Sequence, residues 1–172
     1  MTILCTTMSD FRVSSFAPVY TPESRVLILG TMASPASLRS NFFYGHPQNA
    51  FWRILAELTG DDPGQVPDTK RAFLLRQHIA LWDTLESCVR EGSSDSAIHA
   101  EHPSDIPGLV RQCPALHAVF LNGGTALRFY KKYHAPQVHL PFFGLPSTSP
   151  ANARGGFEAK LAAWRALTPY LT

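Results

Sequence analysis

The sequence is short of cysteine, short of net charge, and without a long apolar run. Three cysteines, Cys5, Cys88 and Cys113, are scattered over 172 residues. An odd and dispersed set argues against a disulfide framework, and three thiols are too few for a four-thiolate iron–sulfur cluster or zinc site. No run of about 18 apolar residues occurs, so no membrane-spanning helix is expected. The residues through Met8 hold no basic segment followed by an apolar one; a secretory leader is not expected, and Met8 is itself a candidate start. Reduced thiols and a cytoplasmic location are the corresponding expectation. The formal net charge is only +2, so any polyanionic partner must be met by a local basic stripe rather than by the sum of charges. Repeats and low-complexity segments are absent. So are a phosphate-loop lysine and a dinucleotide glycine pattern, which disfavours a nucleotide-binding α/β protein despite the strand-to-helix junction Asn122-Gly123-Gly124.

What is present is 45% hydrophobic residues, enough for a core in one domain over residues 1–172, with residues 1–20 as an extended or poorly ordered N-terminal segment. Arg25–Gly30 is an apolar run closed by glycine and reads as a buried parallel strand. A Pro/Ser/Gly-containing stretch follows through Pro47. Helical periodicity starts near Asn49, places Phe51, Trp52, Leu55 and Leu58 on one face, and stops at Gly60. A helix is expected over Asp68–Gln77, a strand over Ile79–Leu85, and a polar loop over Glu91–Pro107. Next come a brief helix over Ile106–Cys113, a strand over Ala118–Leu121, and a helix from Gly124 to Tyr133. A short strand over Val138–Leu140, a Pro/Ser/Asn loop over Gly144–Ala153 and a last helix over Phe157–Leu167 complete the chain. The alternation predicts a three-layer α/β/α domain around a mainly parallel four-stranded sheet. Ligands of such sheets bind outside the carboxyl ends of the strands, where the loops 31–49, 122–125 and 144–153 fall. His99-Ala100-Glu101-His102 carries metal-type side chains but lies in a polar segment without further ligands, so no metal is expected there.

Three separated segments in those loops carry a common stamp. Tyr44-Gly45-His46-Pro47-Gln48-Asn49-Ala50-Phe51-Trp52 contains His-Pro-x-Asn-x-Phe-Trp. Phe120-Leu121-Asn122-Gly123-Gly124 closes a strand, and Leu145-Pro146-Ser147-Thr148-Ser149-Pro150-Ala151-Asn152 forms a late loop. Together they resemble the uracil-DNA glycosylase superfamily. Ile79–Ile98, with Leu81-Trp82-Asp83 early and Gly92-Ser-Ser-Asp-Ser-Ala-Ile98 late, is most similar to its hypoxanthine branch. The similarity runs from about Arg25 to Trp164, and several motifs in the right order are far more specific than one short pattern.

The resemblance implies a DNA glycosylase that flips out a deaminated base, with hypoxanthine as first choice and DNA containing deoxyinosine or deoxyuridine as partner. It implies no cofactor and a monomer. Alternatives are a uracil glycosylase of single-stranded or mismatched DNA, and a non-catalytic DNA-damage binder. The mismatch-specific branch carries a catalytic Asn two residues after the first-motif glycine. Here that residue is Met32, which can neither hold nor polarise water, so the resemblance assigns catalysis to Asn49 and Asn122. It assigns the base pocket to Tyr44, Asn122, Gly30 and Met32, and DNA contacts to Ser147, Thr148, Ser149, Ala151 and Asn152.

Chemically, an Asn amide oxygen can orient a water but cannot take a full proton at neutral pH. Much of the acceleration must then come from electrostatic stabilisation of the departing base. A fixed Asn122 amide can donate to O6 and accept from N1–H of hypoxanthine, or pair equally with O4 and N3–H of uracil. Adenine presents the reverse pair. On residue type alone, Asn49 reads as a helix N-cap and Asn122 as a turn residue. Tyr44 matches a base-stacking position, whereas Phe42, Phe43, Phe51 and Trp52 read as core. Ala151 is too small to wedge into a base stack. Arg39, Arg53, Arg128, Lys131, Lys132 and Arg154 are candidate backbone contacts. Lys70, Lys131, Lys132 and Lys160 lie outside the motif loops, so a monofunctional enzyme without lyase chemistry is expected.

Overall fold

The computed structural model describes residues 11–172; Cys5, Met8 and the first part of the N-terminal segment lie outside the described residues. The chain runs β1 (Arg12–Ser14), β2 (Val26–Gly30), α1 (Pro35–Ser40), α2 (Phe51–Thr59), α3 (Pro67–Arg76), β3 (Ile79–Asp83) and β4 (Leu85–Val89). It continues through β5 (His99–Pro103), α4 (Ile106–Gln112), β6 (Ala118–Asn122), α5 (Gly124–Tyr133), β7 (Phe142–Leu145), α6 (Gly156–Trp164) and α7 (Thr168–Leu171). The central sheet has the order β3-β2-β6-β7, and each of its pairings is parallel. This is the expected four-stranded architecture.

Alternation along the strands divides the core in two. Val26 and Ile28 of β2, Ile79 and Leu81 of β3, and Ala118 and Phe120 of β6 pack with Phe51, Ile54, Leu55, Phe73 and Trp164 on one face. Leu27, Leu29, Ala80, Val119 and Leu121 pack with Ile106, Leu109, Ala126 and Tyr130 on the other. Helices α2, α3 and α6 thus cover one face, and α4 and α5 the other. Phe42, Phe43, Phe51 and Trp52 are buried in the first cluster as expected.

Several boundaries differ from expectation. The strand expected at Val138–Leu140 lies further on, at Phe142–Leu145. A 3-10 turn at Ala135–Gln137 follows α5, and ladder bonding begins only at Pro141, whose carbonyl accepts from the Val119 N–H. The segment expected as one strand, Ile79–Leu85, divides at Thr84. The Thr84 N–H donates to Gly30 O, and the chain then leaves the central sheet. Its continuation, β4, pairs antiparallel with β1 and with β5, forming a separate sheet in the order β1-β4-β5. The stretch Glu91–Pro107, expected as loop, therefore contains a strand. Most of β5 is exposed, so it carries no apolar alternation that a sequence pattern could detect. Helix α1, within the Pro/Ser/Gly stretch, starts at the Ser34 cap, whose hydroxyl accepts from the Ser37 N–H.

Arg90, at the end of β4, ties this small sheet to the first motif loop. Its guanidinium donates to Ala33 O at 2.8 Å and to Gly92 O at 3.1 Å, and only 3% of the residue is exposed. Arg90→Ala strands the Ala33 carbonyl, which costs roughly 1–3 kcal/mol. Thermal denaturation should show a melting temperature lower by several degrees. Arg90→Lys should recover less than half of the loss, because one ammonium cannot reach both carbonyls.

Candidate active site

The carboxyl ends of the parallel strands finish on one row. Gly30 is in register with Asp83, and Leu29 with Leu121, which puts Asn122 level with Gly30. Asn122 is in turn in register with Leu145. The row Asp83–Gly30–Asn122–Leu145 continues the alternation of Ile28, Leu81 and Phe120, so its side chains project toward the α2–α6 face. The segment between β2 and α2 closes over this row and carries Tyr44 and Asn49.

Tyr44 is set by a tight turn. Its own φ is +53°, a left-handed conformation that costs of order 1–2 kcal/mol for a residue with a side chain. Gly45 follows because a Cβ there would collide with Ser40 Oγ. The result is a Tyr44 ring stacked on Phe51 with centroids 4.0 Å apart, which leaves a single face for another planar group. The hydroxyl reaches Gly30: a Cβ on Gly30 would stand 2.7 Å from Tyr44 Oη and 2.6 Å from Asp83 Oδ1. The glycine at this position is what lets the two polar groups approach the strand end. Tyr44 Oη is buried without a hydrogen-bond partner. Burial, then the Asp83 charge, push its phenol well above its ordinary pKa, and the Asn122 amide offsets only part of this.

Asn122 is held at both ends by one residue. Its Oδ1 accepts from the Thr148 N–H at 3.0 Å, and its Nδ2 donates to Thr148 Oγ1 at 2.9 Å. A backbone N–H can only donate, so Oδ1 must face it and the amide cannot flip. One lone pair and one N–H of the amide remain. Thr148 O accepts from the Ala50 N–H at 3.0 Å, so the three motif segments meet at Thr148. Asn49 turns its Oδ1 onto the Phe51 N–H at 3.0 Å, but it stands one residue before the N-cap of α2, which is Ala50 and has no side-chain capping bond, so the N-cap that its residue type suggested falls at Ala50 instead. Asn49 also lines an open groove of about 490 Å³ with Tyr44, His46, Trp52, Arg53 and Lys70. Asn122 does not line that groove; Thr148 binds the Asn122 carboxamide and the Ala50 backbone, so it joins the two segments without touching the Asn49 carboxamide.

Two assigned residues sit elsewhere than expected. Thr148, expected to face DNA, is 1% exposed and is occupied by Asn122 and Ala50. Met32, expected in the base pocket, packs with Leu85, Cys88 and Phe129 under the small sheet. The rest of the late loop is built largely to hold itself. Asn152 Nδ2 donates to Ser147 O, Ser147 Oγ accepts from the Ser149 N–H, and Ser149 Oγ accepts from the Ala151 N–H. The Ser147 and Ser149 hydroxyls keep their own protons free to donate, and Ala151 is exposed at the tip. Lys160, on α6, is brought under this loop and donates to Ser149 O at 3.2 Å. Trp164 Nε1 donates to Pro146 O at 2.9 Å.

The residue that received no role from the sequence is Asp83. It is 3% exposed, and Ser15 Oγ donates to its Oδ2 at 2.7 Å. Burial pushes its pKa up to about 7; the Ser15 hydrogen bond opposes this, nearby Asp95 adds to it, and Arg90 opposes it. An acidic residue closing the apolar run Ile79-Ala80-Leu81-Trp82 was the available signal. Cys88 and Cys113 are free and buried. Among the described residues no group of three or more His, Cys, Asp or Glu side chains is disposed to hold a metal, and no helix is long and apolar enough to cross a membrane.

Thr148→Val removes the acceptor for Asn122 Nδ2 while keeping the shape. Stability should fall by roughly 1–3 kcal/mol, read by denaturant titration, and Thr148→Ser should restore most of it. Equal midpoints for Thr148→Val and the parent chain would contradict the junction described.

The uracil DNA glycosylase superfamily model matches residues 17–168. The chain is 33% identical over 140 residues to a Methanosarcina acetivorans protein named hypoxanthine DNA glycosylase, covering 81% of this chain and 87% of that one. A Methanosarcina barkeri protein of the same name is 35% identical over 109 residues, covering 63% of this chain and 69% of that one. The fold is similar to the solution NMR structure of a candidate uracil DNA glycosylase from Methanosarcina acetivorans, with a TM-score of 0.81, 31% identity, and coverage of 93% and 98% of the two chains. With the family match spanning both faces of the sheet and all three motif segments, this protein belongs to the uracil DNA glycosylase superfamily.

Proposed function

We propose that the chain is a monofunctional DNA glycosylase that extrudes a deaminated base, hypoxanthine foremost, and hydrolyses its N-glycosidic bond to leave an abasic site. The observation that carries this reading is the junction at Thr148, where the segments bearing Asn49 and Asn122 are hydrogen-bonded together at the carboxyl edge of the sheet. Relatives at 33% and 35% identity bear the hypoxanthine name, which favours that base over uracil.

The reacting bond is shielded inside a duplex, so the nucleotide must leave the stack. Tyr44 offers its uncovered face to the extruded base. Asn49 keeps one oxygen lone pair and its amino group after accepting from the Phe51 N–H, enough to orient a water at the sugar but not to deprotonate it. Asn122, prevented from flipping by Thr148, presents a fixed donor and acceptor. The free hydroxyls of Ser147 and Ser149 and the exposed cations Arg39, Arg53, Arg128, Lys131, Lys132 and Arg154 are suited to the DNA backbone. The Lys160 amine donates to a loop carbonyl, which disfavours its use as a Schiff-base nucleophile.

Duplexes carrying deoxyinosine or deoxyuridine test the reading directly. The expected product is an unbroken strand with an abasic site, cleaved only on alkali treatment and released faster from inosine than from uracil. Asn49→Ala should lower the single-turnover rate by about 10²-fold or more with little change in DNA affinity, and Asn122→Ala should lower both rate and base discrimination. Faster uracil release would reverse the substrate order. Tight inosine-duplex binding without any abasic product would instead make the protein a damage binder. DNA affinity should also fall steeply with salt, because lysine and arginine contacts to phosphate displace counterions. A titration from low to physiological ionic strength showing no loss would count against DNA as the partner.

A further inference from the structure

Asp83 is the polar group at the strand edge that the motif assignments leave unused. It stands in the same row as Gly30 and Asn122, on the same face of the sheet, and its Oδ1 approaches the bare Cα of Gly30 beside the unpartnered Tyr44 hydroxyl. Its two oxygens are not equivalent. Ser15 donates to Oδ2, and an oxygen that already accepts a hydroxyl proton favours being the carbonyl oxygen of a neutral acid. A proton carried by the carboxyl then sits on Oδ1, the oxygen on the Tyr44 side.

Resting on the proposed glycosylase activity, we propose that Asp83 is a base-reading residue, donating a hydrogen bond from Oδ1 to the exocyclic oxygen of the extruded base. Hypoxanthine offers O6 and uracil O4 as acceptors for that proton. Adenine offers an amino group, which would set donor against donor and leave both buried and unpaired. The contact therefore separates hypoxanthine and uracil from their amino-bearing parents, adenine and cytosine, at the atom that deamination creates, and supplements the fixed Asn122 amide. The same hydrogen bond gains strength as negative charge grows on the departing base, so it favours bond cleavage as well as binding.

The protonation state of Asp83 supports this role. Its carboxyl is raised to about 7, chiefly by burial. The charged and titratable groups around it are the Tyr44 phenol, which stays protonated, the Arg90 guanidinium and the Asp95 carboxylate. Because the pKa is raised, the neutral donor form predominates below about 7 and is lost as pH rises through that value. A bound base that accepts from Oδ1 extends the neutral form upward.

Single-turnover release of hypoxanthine from inosine duplex, measured against pH, tests the assignment. The wild-type rate should fall as pH rises above neutrality, approaching tenfold per pH unit. Asp83→Asn keeps an acceptor toward Ser15 and a donor toward the base; it should retain activity within about tenfold and lose the alkaline fall. Asp83→Ala should lose about 10²-fold or more, with circular dichroism establishing that it is folded. A wild-type rate that rises through neutrality, a folded but inactive Asp83→Asn, or a fully active Asp83→Ala would each overturn the assignment while leaving the glycosylase reading intact. If the wild-type protein releases neither hypoxanthine nor uracil, the glycosylase reading fails, and this assignment falls with it.

Discussion

Two hydrogen bonds between Thr148 and the Asn122 carboxamide hold the candidate site together. A buried amide left unpaired costs roughly 1–3 kcal/mol per group, so a strand ending in asparagine needs a partner at its edge. Thr148 meets that need with its backbone N–H and its hydroxyl, and uses its carbonyl to receive the entry to α2 through the Ala50 N–H. One residue thus connects the end of β6, the loop after β7 and the first turn of α2. The loop is held in turn from below by Lys160 and Trp164 of α6. Residues far apart in the chain converge because each is tied to the same rigid sheet edge, which suits a site that must hold a base and a water in fixed relation.

The second constraint is space at the end of β2. Gly30 admits the Tyr44 hydroxyl and the Asp83 carboxyl within a distance that any side chain would occupy. Tyr44 arrives there through a left-handed turn, and its hydroxyl is left buried and unpartnered. Strain and an unsatisfied polar atom at one residue are unfavourable to folding alone, and such features concentrate where a ligand completes the environment. The same burial that isolates Tyr44 raises the Asp83 carboxyl to about 7. One end of the sheet therefore combines a planar face, a fixed amide and a carboxyl poised between its two forms.

The small antiparallel sheet supports this edge from the side. Strand β4 grows directly out of β3 past Thr84, and Arg90 at its end reaches back to the Ala33 carbonyl in the first motif loop. Met32 is drawn into the apolar cluster under that sheet. A thioether packs well among Leu85, Cys88 and Phe129.

The sequence by itself determined the central architecture, because apolar runs such as Val26–Leu29 and Ala118–Leu121 bury on both faces and have few other solutions. It also marked the helix face of Phe51, Trp52 and Leu55, the left-handed stop at Gly60, and the motif loops at the carboxyl edge. Strand β5 and the position of β7 were hidden, since exposed or short strands are defined by ladder partners and not by their own periodicity. Tertiary structure alone decided which side chains face the site. Thr148 and Met32 have the composition of a loop and a pocket but turn into the interior. Lys160 reaches the late loop, and Asp83 and Ser15 meet across 68 residues of chain. Local pattern reports which elements form and which faces they bury. It carries no record of which distant residue supplies the partner for a buried polar atom, and that pairing is what makes the site.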